Sequence, residues 1–243
     1  MKWKDHRRLI SAATQLHNVP PSTYKGLMDG VIYPDKTNSW RKEKGKRLES
    51  HHHPDKDKIV KLIWKARKHW LKGKEKDAGF HLGRALHYIH DGCVSKGFIG
   101  MSHGVNENII HSLDLHENVF DSGIQNSRSD PFFIRKLVWQ VTPQSPEKAI
   151  DNASYATASL IKAVLNYQAI PPELAEDYKN ACIRHTKYLQ TGIGICLAII
   201  LLAIFTNSMR LILFSPVLGF IVVKMDNGYY QTKKKWNWFN KEI

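Results

Sequence analysis

The chain has 243 residues, enough for one good-sized domain or two small ones, and its 42% hydrophobic content is ordinary for a globular protein with a packed core. Lysine and arginine outnumber aspartate and glutamate by 36 to 22, a formal charge of +14, so we expect an anionic partner: phosphate, nucleic acid or an acidic membrane surface. Three scattered cysteines argue against a disulfide framework, and the basic N-terminus lacks the apolar stretch of a secretory signal, which favours a cytoplasmic start.

The first part of the chain predicts two helices separated by a long loop. Residues 5–18 form a helix that Asp5 caps and that Pro20 and Pro21 end, with His6 in its first turn. We expect a loop to follow, through the segment MDGVIYPDKTNSW and a basic stretch. Asp55 then caps an amphipathic helix over about residues 56–73.

Two further helices each carry a histidine and a carboxylate at i, i+4 spacing. The helix over about 75–92 places His87 and Asp91 on the side opposite its apolar stripe. After a glycine-rich turn, a fourth helix that extends to about residue 121 carries His103 and Glu107. The turn between the helices can bring the two pairs together.

The segment 129–144 is ambiguous and fits a short helix or an extended segment. A helix is predicted over 145–169, and a further helix begins at PPELAEDY and continues towards the apolar part of the chain. The apolar runs 191–205 and 209–223 predict a transmembrane hairpin, although a buried hairpin is the alternative. Basic residues flank both outer ends of the hairpin, so we expect a multi-pass protein with both ends in the cytoplasm. The predicted division is a helical metal-binding domain (1–188), the hairpin (189–225) and a basic aromatic tail (226–243).

Histidines and carboxylates in this pattern indicate a metal site. Imidazole and carboxylate are ligands that zinc accepts, and an i, i+4 pair on a helix directs two of them at one ion. A single pair is more often a plain surface interaction. Two adjacent pairs, together with the histidine run at 51–53 and Asp35 upstream, favour zinc.

Five segments in chain order resemble the zinc-dependent phospholipase C family, which is related to single-strand-specific zinc nucleases and to a domain of glycosylphosphatidylinositol-specific phospholipase D. The segments are DHRRLISAA, DGVIYPD, SHHHPD, FHLGRALHYIHD and SHGVNEN. The resemblance covers about residues 3–121 and is most specific at LGRALHYIHD. It implies an all-helical bundle whose cleft holds two or three zinc ions and hydrolyses phosphodiesters.

The resemblance also implies roles for individual residues. Asp35 would bind metal and act as the general base, and Asp91 would bridge two ions. His52 and His53 are alternatives to His51. The implied metal ligands are His6, Asp35, His51, His87, Asp91, His103 and Glu107.

Two departures from the family pattern bear on the number of ions. The family has a histidine six residues after the bridging aspartate, where this chain has Gly97, so His111, Asp114 or water would have to replace that ligand. The family's metal-binding N-terminal tryptophan corresponds to Trp3, which follows Met1 and Lys2. A site with two metal ions, or a degraded site, is therefore an alternative to a site with three.

The sequence thus predicts an all-α protein, a helical bundle of zinc-dependent phospholipase C type followed by a transmembrane hairpin. Its expected activity is hydrolysis of phospholipid by metal-activated water. A single-strand nuclease on the same scaffold and a non-catalytic, membrane-associated metal-binding protein are the alternatives.

Overall fold

The computed structural model describes residues 1–36, 55–95, 103–166 and 169–240. These ranges contain helices and no strand, which confirms the all-α prediction. The helices are α1 (Trp3–Gln15), α2 (Pro21–Lys36), α3 (Lys56–Leu71), α4 (Glu75–Cys93), α5 (His103–Ser112), α6 (Glu117–Gln125), α7 (Pro131–Gln140), α8 (Pro146–Val164), α9 (Pro172–Phe205), α10 (Met209–Lys224) and α11 (Asn227–Phe239).

The chain divides into two compact units. The first, Met1–Tyr167, contains α1 to α8, and the second, Gln168–Ile243, contains α9 to α11. The sequence-based boundary between residues 188 and 189 falls inside the continuous helix α9. The three-part division by function stays a prediction.

Helix α4 forms the centre of the first unit. It packs against α2, α3 and α8, and thirteen of its 19 residues are buried. Because neighbouring helices cover it on more than one side, the polar face with His87 and Asp91 is as buried as the apolar stripe. A pair that the sequence placed on the side facing away from the core therefore lies inside the bundle.

Helices α2 and α4 cross with their backbones in contact. Gly26 and Gly30 on α2 face Gly79 and Gly83 on α4, and a Cβ on any of the four would lie under 3.0 Å from backbone atoms of the facing helix. Glycine at four-residue spacing on both helices permits this approach, because no side chain holds the two axes apart. The crossing fixes the end of α2 beside the middle of α4.

The structure corrects two predictions about helix boundaries and decides a third that the sequence left open. Residues 21–36 are helical, not a loop: Pro21 suits a first helical position, and Gly26 and Gly30 form the contact with α4. Asp5 does not cap α1, which begins at Trp3; it is buried and accepts a hydrogen bond from His111. The ambiguous segment forms α7, which Asp130 caps.

The predicted fourth helix is divided into α5 and α6. The Arg8 guanidinium donates to the carbonyl oxygens of Ile110 and Leu113, at 3.1 and 2.9 Å. These carbonyls lie at the C-terminal end of α5, where backbone acceptors lack partners within the helix. Arg8 therefore stabilises a helix end that the apolar spacing alone did not indicate, and Asp114 falls between the two helices.

The second unit carries a long, exposed apolar surface. Among the described helices, α9 alone is long and apolar enough to cross a membrane. Side chains on both α9 and α10 are exposed, for example Phe205 at 87% and Leu213 at 77%. Helix α10 has 16 residues, fewer than the ~20 that a full span takes, so a two-span topology stays a prediction.

Helices α9 and α10 contact each other through small residues. A Cβ on Gly192 would lie 2.8 Å from the carbonyl oxygen of Gly219. Pro216 lies inside α10 and cannot donate to the carbonyl four residues earlier, but the Ser215 hydroxyl donates to that acceptor, the Ile212 oxygen, at 3.1 Å. The Ile212 carbonyl oxygen therefore has a hydrogen-bond donor despite the proline.

Replacing Gly83 with alanine tests the backbone contact between α2 and α4. The new Cβ would overlap the Leu27 carbonyl oxygen, so we expect the free energy of unfolding to fall by about 2 to 3 kcal/mol. Thermal unfolding followed by circular dichroism would measure the loss. Gly194→Ala is the matched control, because a Cβ there meets nothing within 4 Å in its helix. Equal stability of the two variants would contradict the crossing.

Candidate metal centre

Three buried side chains converge inside the first unit. His6 comes from α1, and His87 and Asp91 come from α4, one helical turn apart. One ligand atom of each lies within 4.8 Å of the others. The Asp91 carboxylate lies between the rings, with Oδ1 3.4 Å from His6 Nε2 and Oδ2 3.3 Å from His87 Nε2.

A backbone carbonyl determines which nitrogen of His87 carries the proton. Nδ1 lies 2.9 Å from the Val31 carbonyl oxygen, which can only accept a hydrogen bond, so Nδ1 is the donor. Burial lowers the pKa of His87 to about 3, so the ring is neutral and its Nε2 carries a bare lone pair. That lone pair points at Asp91, and no hydrogen-bond partner for Nε2 exists in the described part of the chain.

The donor set could hold a metal ion. A bare imidazole nitrogen beside a carboxylate is unfavourable unless a cation or a proton lies between them. His6 Nε2 is likewise buried without a hydrogen-bond partner among the described residues. Two imidazole nitrogens and one carboxylate, each with a second hydrogen bond that fixes its orientation, are ligands that zinc and other transition metals accept.

Asp35 lies at the edge of this cluster. It occupies the last turn of α2, and its Oδ1 is 3.6 Å from His87 Nε2. Its side chain is 17% exposed, whereas that of Asp91 is 5% exposed. Asp35 can therefore contact the buried donors and a molecule arriving from solvent.

Glu107 reaches the cluster through the α-amino group of Met1. That nitrogen lies 2.8 Å from Asp91 Oδ1 and 2.6 Å from Glu107 Oε1. Burial opposes the charge of the amino group, but the two carboxylates raise its pKa above the ordinary value. The Met1 amino group therefore links the carboxylates of Asp91 and Glu107.

Several predicted ligands fall outside what the structure describes. His51, His52 and His53 lie outside the described residues, as does Gly97. His103 begins α5, but its side chain is not among those described. The proposed substitute His111 does not join the cluster: its Nδ1 lies 2.9 Å from Asp5 Oδ1.

His90 belongs to the centre, although the sequence reading did not select it. Its Nδ1 lies 3.0 Å from His6 Nδ1, and its Nε2 lies 2.8 Å from Thr157 Oγ1. The ring is fully buried. The segment HYIHD contained a signal for it, since His87 and His90 are three residues apart on one helix. The i, i+4 pattern does not include His90.

A second histidine pair lies on α3 and α4. The rings of His69 and His81 stack at 5.1 Å between centroids, and Asp77 lies 3.7 Å from His69 Nδ1. These residues do not form a three-donor group: within the described residues, only His6, His87 and Asp91 do. Burial and the positive charge of Lys65 lower the pKa of His81 to about 4.

The sequence leaves Arg84 open between steering an anionic substrate and a structural role, and in the structure this side chain is stacked on aromatic rings. Its guanidinium carbon lies 5.0 Å from the centroid of Tyr33 and 5.9 Å from that of Phe80. This contact holds the side chain against α2 and gives it a packing role. Substrate steering by Arg84 stays a prediction.

No family model, no curated protein and no solved structure matches this chain. The resemblance to zinc-dependent phospholipases C therefore stays an expectation from the sequence.

Lowering the pH tests the environment of His81. Its imidazole titrates at about 4 in the folded chain and near 6.5 when unfolded, so the unfolded state binds the proton first as the pH falls. We expect a loss of stability between pH 6.5 and 4, at most about 3 kcal/mol from this residue. His81→Gln removes the titrating group, so thermal unfolding should show the variant losing less stability than the parent. Parallel losses in the two proteins would contradict the assignment.

Proposed function

We propose that this protein is a membrane-anchored, zinc-dependent phosphodiesterase of phospholipase C type. The observation that carries the proposal is a pair of buried imidazole nitrogens, His6 Nε2 and His87 Nε2. They lie 3.4 and 3.3 Å from the Asp91 carboxylate and lack a hydrogen-bond partner among the described residues. Such a donor set binds zinc, and a partly exposed carboxylate beside it suits hydrolytic chemistry.

Each residue of the centre has a role in this proposal. His6, His87 and Asp91 hold the ion, while Glu107 and His103 are the proposed ligands of a further one. Zinc, when bound, supplies Lewis acidity, which brings the pKa of water down to about 7 and offsets charge on phosphate oxygens. Asp35 orients the attacking water for in-line approach to phosphorus and accepts its proton.

The charge and the second unit support phospholipid as the substrate. An excess of 14 positive charges favours an anionic phosphodiester over a neutral one. The exposed apolar surface of α9 and α10 suits insertion in lipid. In our proposal both helices enter the bilayer and both outer ends face the cytoplasm, because Arg184 and Lys187 precede the apolar segment and Lys224 follows it.

A single-strand nuclease is the second candidate, favoured by exposed aromatic rings near the centre. Trp3 is 46% exposed and lies three residues before His6, and Tyr33 is 38% exposed and lies two residues before Asp35. Unpaired bases stack on such rings, and a basic surface attracts the phosphate backbone. The substrate assay therefore includes single-stranded DNA.

Zinc content is the first test. The protein, purified in detergent and reconstituted with zinc, should hold two or three ions per chain by mass spectrometry, and His87→Ala and Asp91→Asn should each remove at least one. His116→Ala is the matched control, because His116 pairs with Asp151 at 3.0 Å on the surface and is outside the cluster. A parent without zinc would refute the metallohydrolase and leave a non-metal binding role.

Hydrolysis is the second test. We expect the parent to cleave the anionic lipid phosphatidylglycerol in vesicles. Asp35→Asn should retain the zinc bound by His6, His87 and Asp91 while its kcat falls at least about 100-fold. Faster cleavage of single-stranded DNA than of vesicles would favour the nuclease. A zinc-loaded parent that cleaves neither substrate would favour the non-catalytic, metal-binding alternative.

A further inference from the structure

A chain of hydrogen bonds leads from His6 through the core to α8. His6 Nδ1 lies 3.0 Å from His90 Nδ1, and His90 Nε2 lies 2.8 Å from the Thr157 hydroxyl oxygen. Thr157 in turn donates to the Ala153 carbonyl oxygen at 2.6 Å. His6, His90 and Thr157 are fully buried, so water does not compete for these hydrogen bonds.

The Ala153 carbonyl, the last acceptor, fixes the donor and the acceptor in every hydrogen bond of this series. The Ala153 carbonyl can only accept, so the single hydroxyl proton of Thr157 points at it, and the Thr157 oxygen presents a lone pair to His90. His90 Nε2 is therefore the donor in its contact with Thr157. In a neutral ring the other nitrogen, Nδ1, is then bare and must accept from His6 Nδ1.

In the neutral form of His6 the proton is consequently on Nδ1, and Nε2 is bare. This is the nitrogen that faces Asp91 Oδ1 at 3.4 Å and has no hydrogen-bond partner among the described residues. In the opposite direction, a proton on His90 Nδ1 would force His6 to carry its proton on Nε2. The metal ligand would then be blocked.

We propose that His90 and Thr157 are positioning residues that hold His6 in the tautomer able to bind metal. The inference rests on the metal site of the proposed function and adds the residues that prepare one of its ligands. Neither His90 nor Thr157 contacts the ion or the substrate. They act through His6, as outer hydrogen-bond partners of metal-binding histidines do elsewhere.

The design of the two ligand histidines differs in one respect. His87 donates directly to the Val31 carbonyl, an acceptor that cannot change direction. His6 donates to a second imidazole, which could be either donor or acceptor, so its tautomer depends on Thr157. A change at Thr157 should therefore affect His6 and leave His87 unaltered.

Thr157→Val and Thr157→Ser form a matched pair that tests this dependence. Valine has nearly the shape of threonine but lacks the oxygen that accepts from His90, whereas serine keeps it. We expect Thr157→Val to weaken zinc binding about 10-fold or more in a competition titration with a chelator, and Thr157→Ser to bind like the parent. His90→Leu, which removes the acceptor for His6, should weaken binding to a similar extent.

The tautomer itself is measured on metal-free protein with ¹⁵N-labelled histidine, using long-range ¹H–¹⁵N correlation. The parent should show His6 protonated at Nδ1, and Thr157→Val should lose that state while His87 keeps it. His6 protonated at Nε2 in the parent would overturn the inference without any variant, even if Thr157→Val fails to fold.

The two proposals fail in different ways. If Thr157→Val binds zinc as tightly as the parent, the role of Thr157 is refuted, but the proposed metal site is not. A parent that binds no zinc but shows His6 protonated at Nδ1, with loss of that state in Thr157→Val, would refute the metallohydrolase and still support the hydrogen-bond chain.

Discussion

The close crossing of α2 and α4 is the contact on which the centre depends. Four glycines remove the side chains that would hold these helices apart, so that backbone meets backbone. Only at this separation does the Val31 carbonyl reach the buried ring of His87, and only then does the last turn of α2 place Asp35 beside it. One geometric constraint thus positions one ligand, fixes its tautomer and supplies the partly exposed carboxylate.

Much of the fold could be predicted from the sequence where the pattern is local. Apolar residues at helical spacing identified α3 and α4, and the i, i+4 spacing identified His87 and Asp91 as a pair. Helix α2 could not be identified this way, because glycines destabilise an isolated helix. Here they are favourable only because they permit the close contact with α4. The end of α5 was missed for a similar reason: Arg8, about a hundred residues earlier in the chain, satisfies its carbonyls.

The centre was predictable to a smaller extent. His6 entered only through a resemblance, since nothing in its local sequence distinguishes it from a surface histidine. His90 was passed over because its role depends on Thr157 and His6, which lie on two other helices. The contact between the Met1 amino group and the two acidic side chains was beyond sequence patterns as well. Hydrogen bonds between segments that are distant in the sequence produce no periodic pattern in it, so only the folded structure shows them.

The length of α10 has a consequence for lipid. Sixteen residues extend about 24 Å at ~1.5 Å per residue, whereas the hydrocarbon interior of a typical bilayer is ~30 Å thick. A hairpin built on such a helix would pull the surrounding acyl chains into a thinner layer, at a cost that grows with each ångström of mismatch. In a cell with membranes of unequal thickness, the protein would then collect in the thinnest ones, so acyl-chain length as well as headgroup chemistry would select the lipids around it.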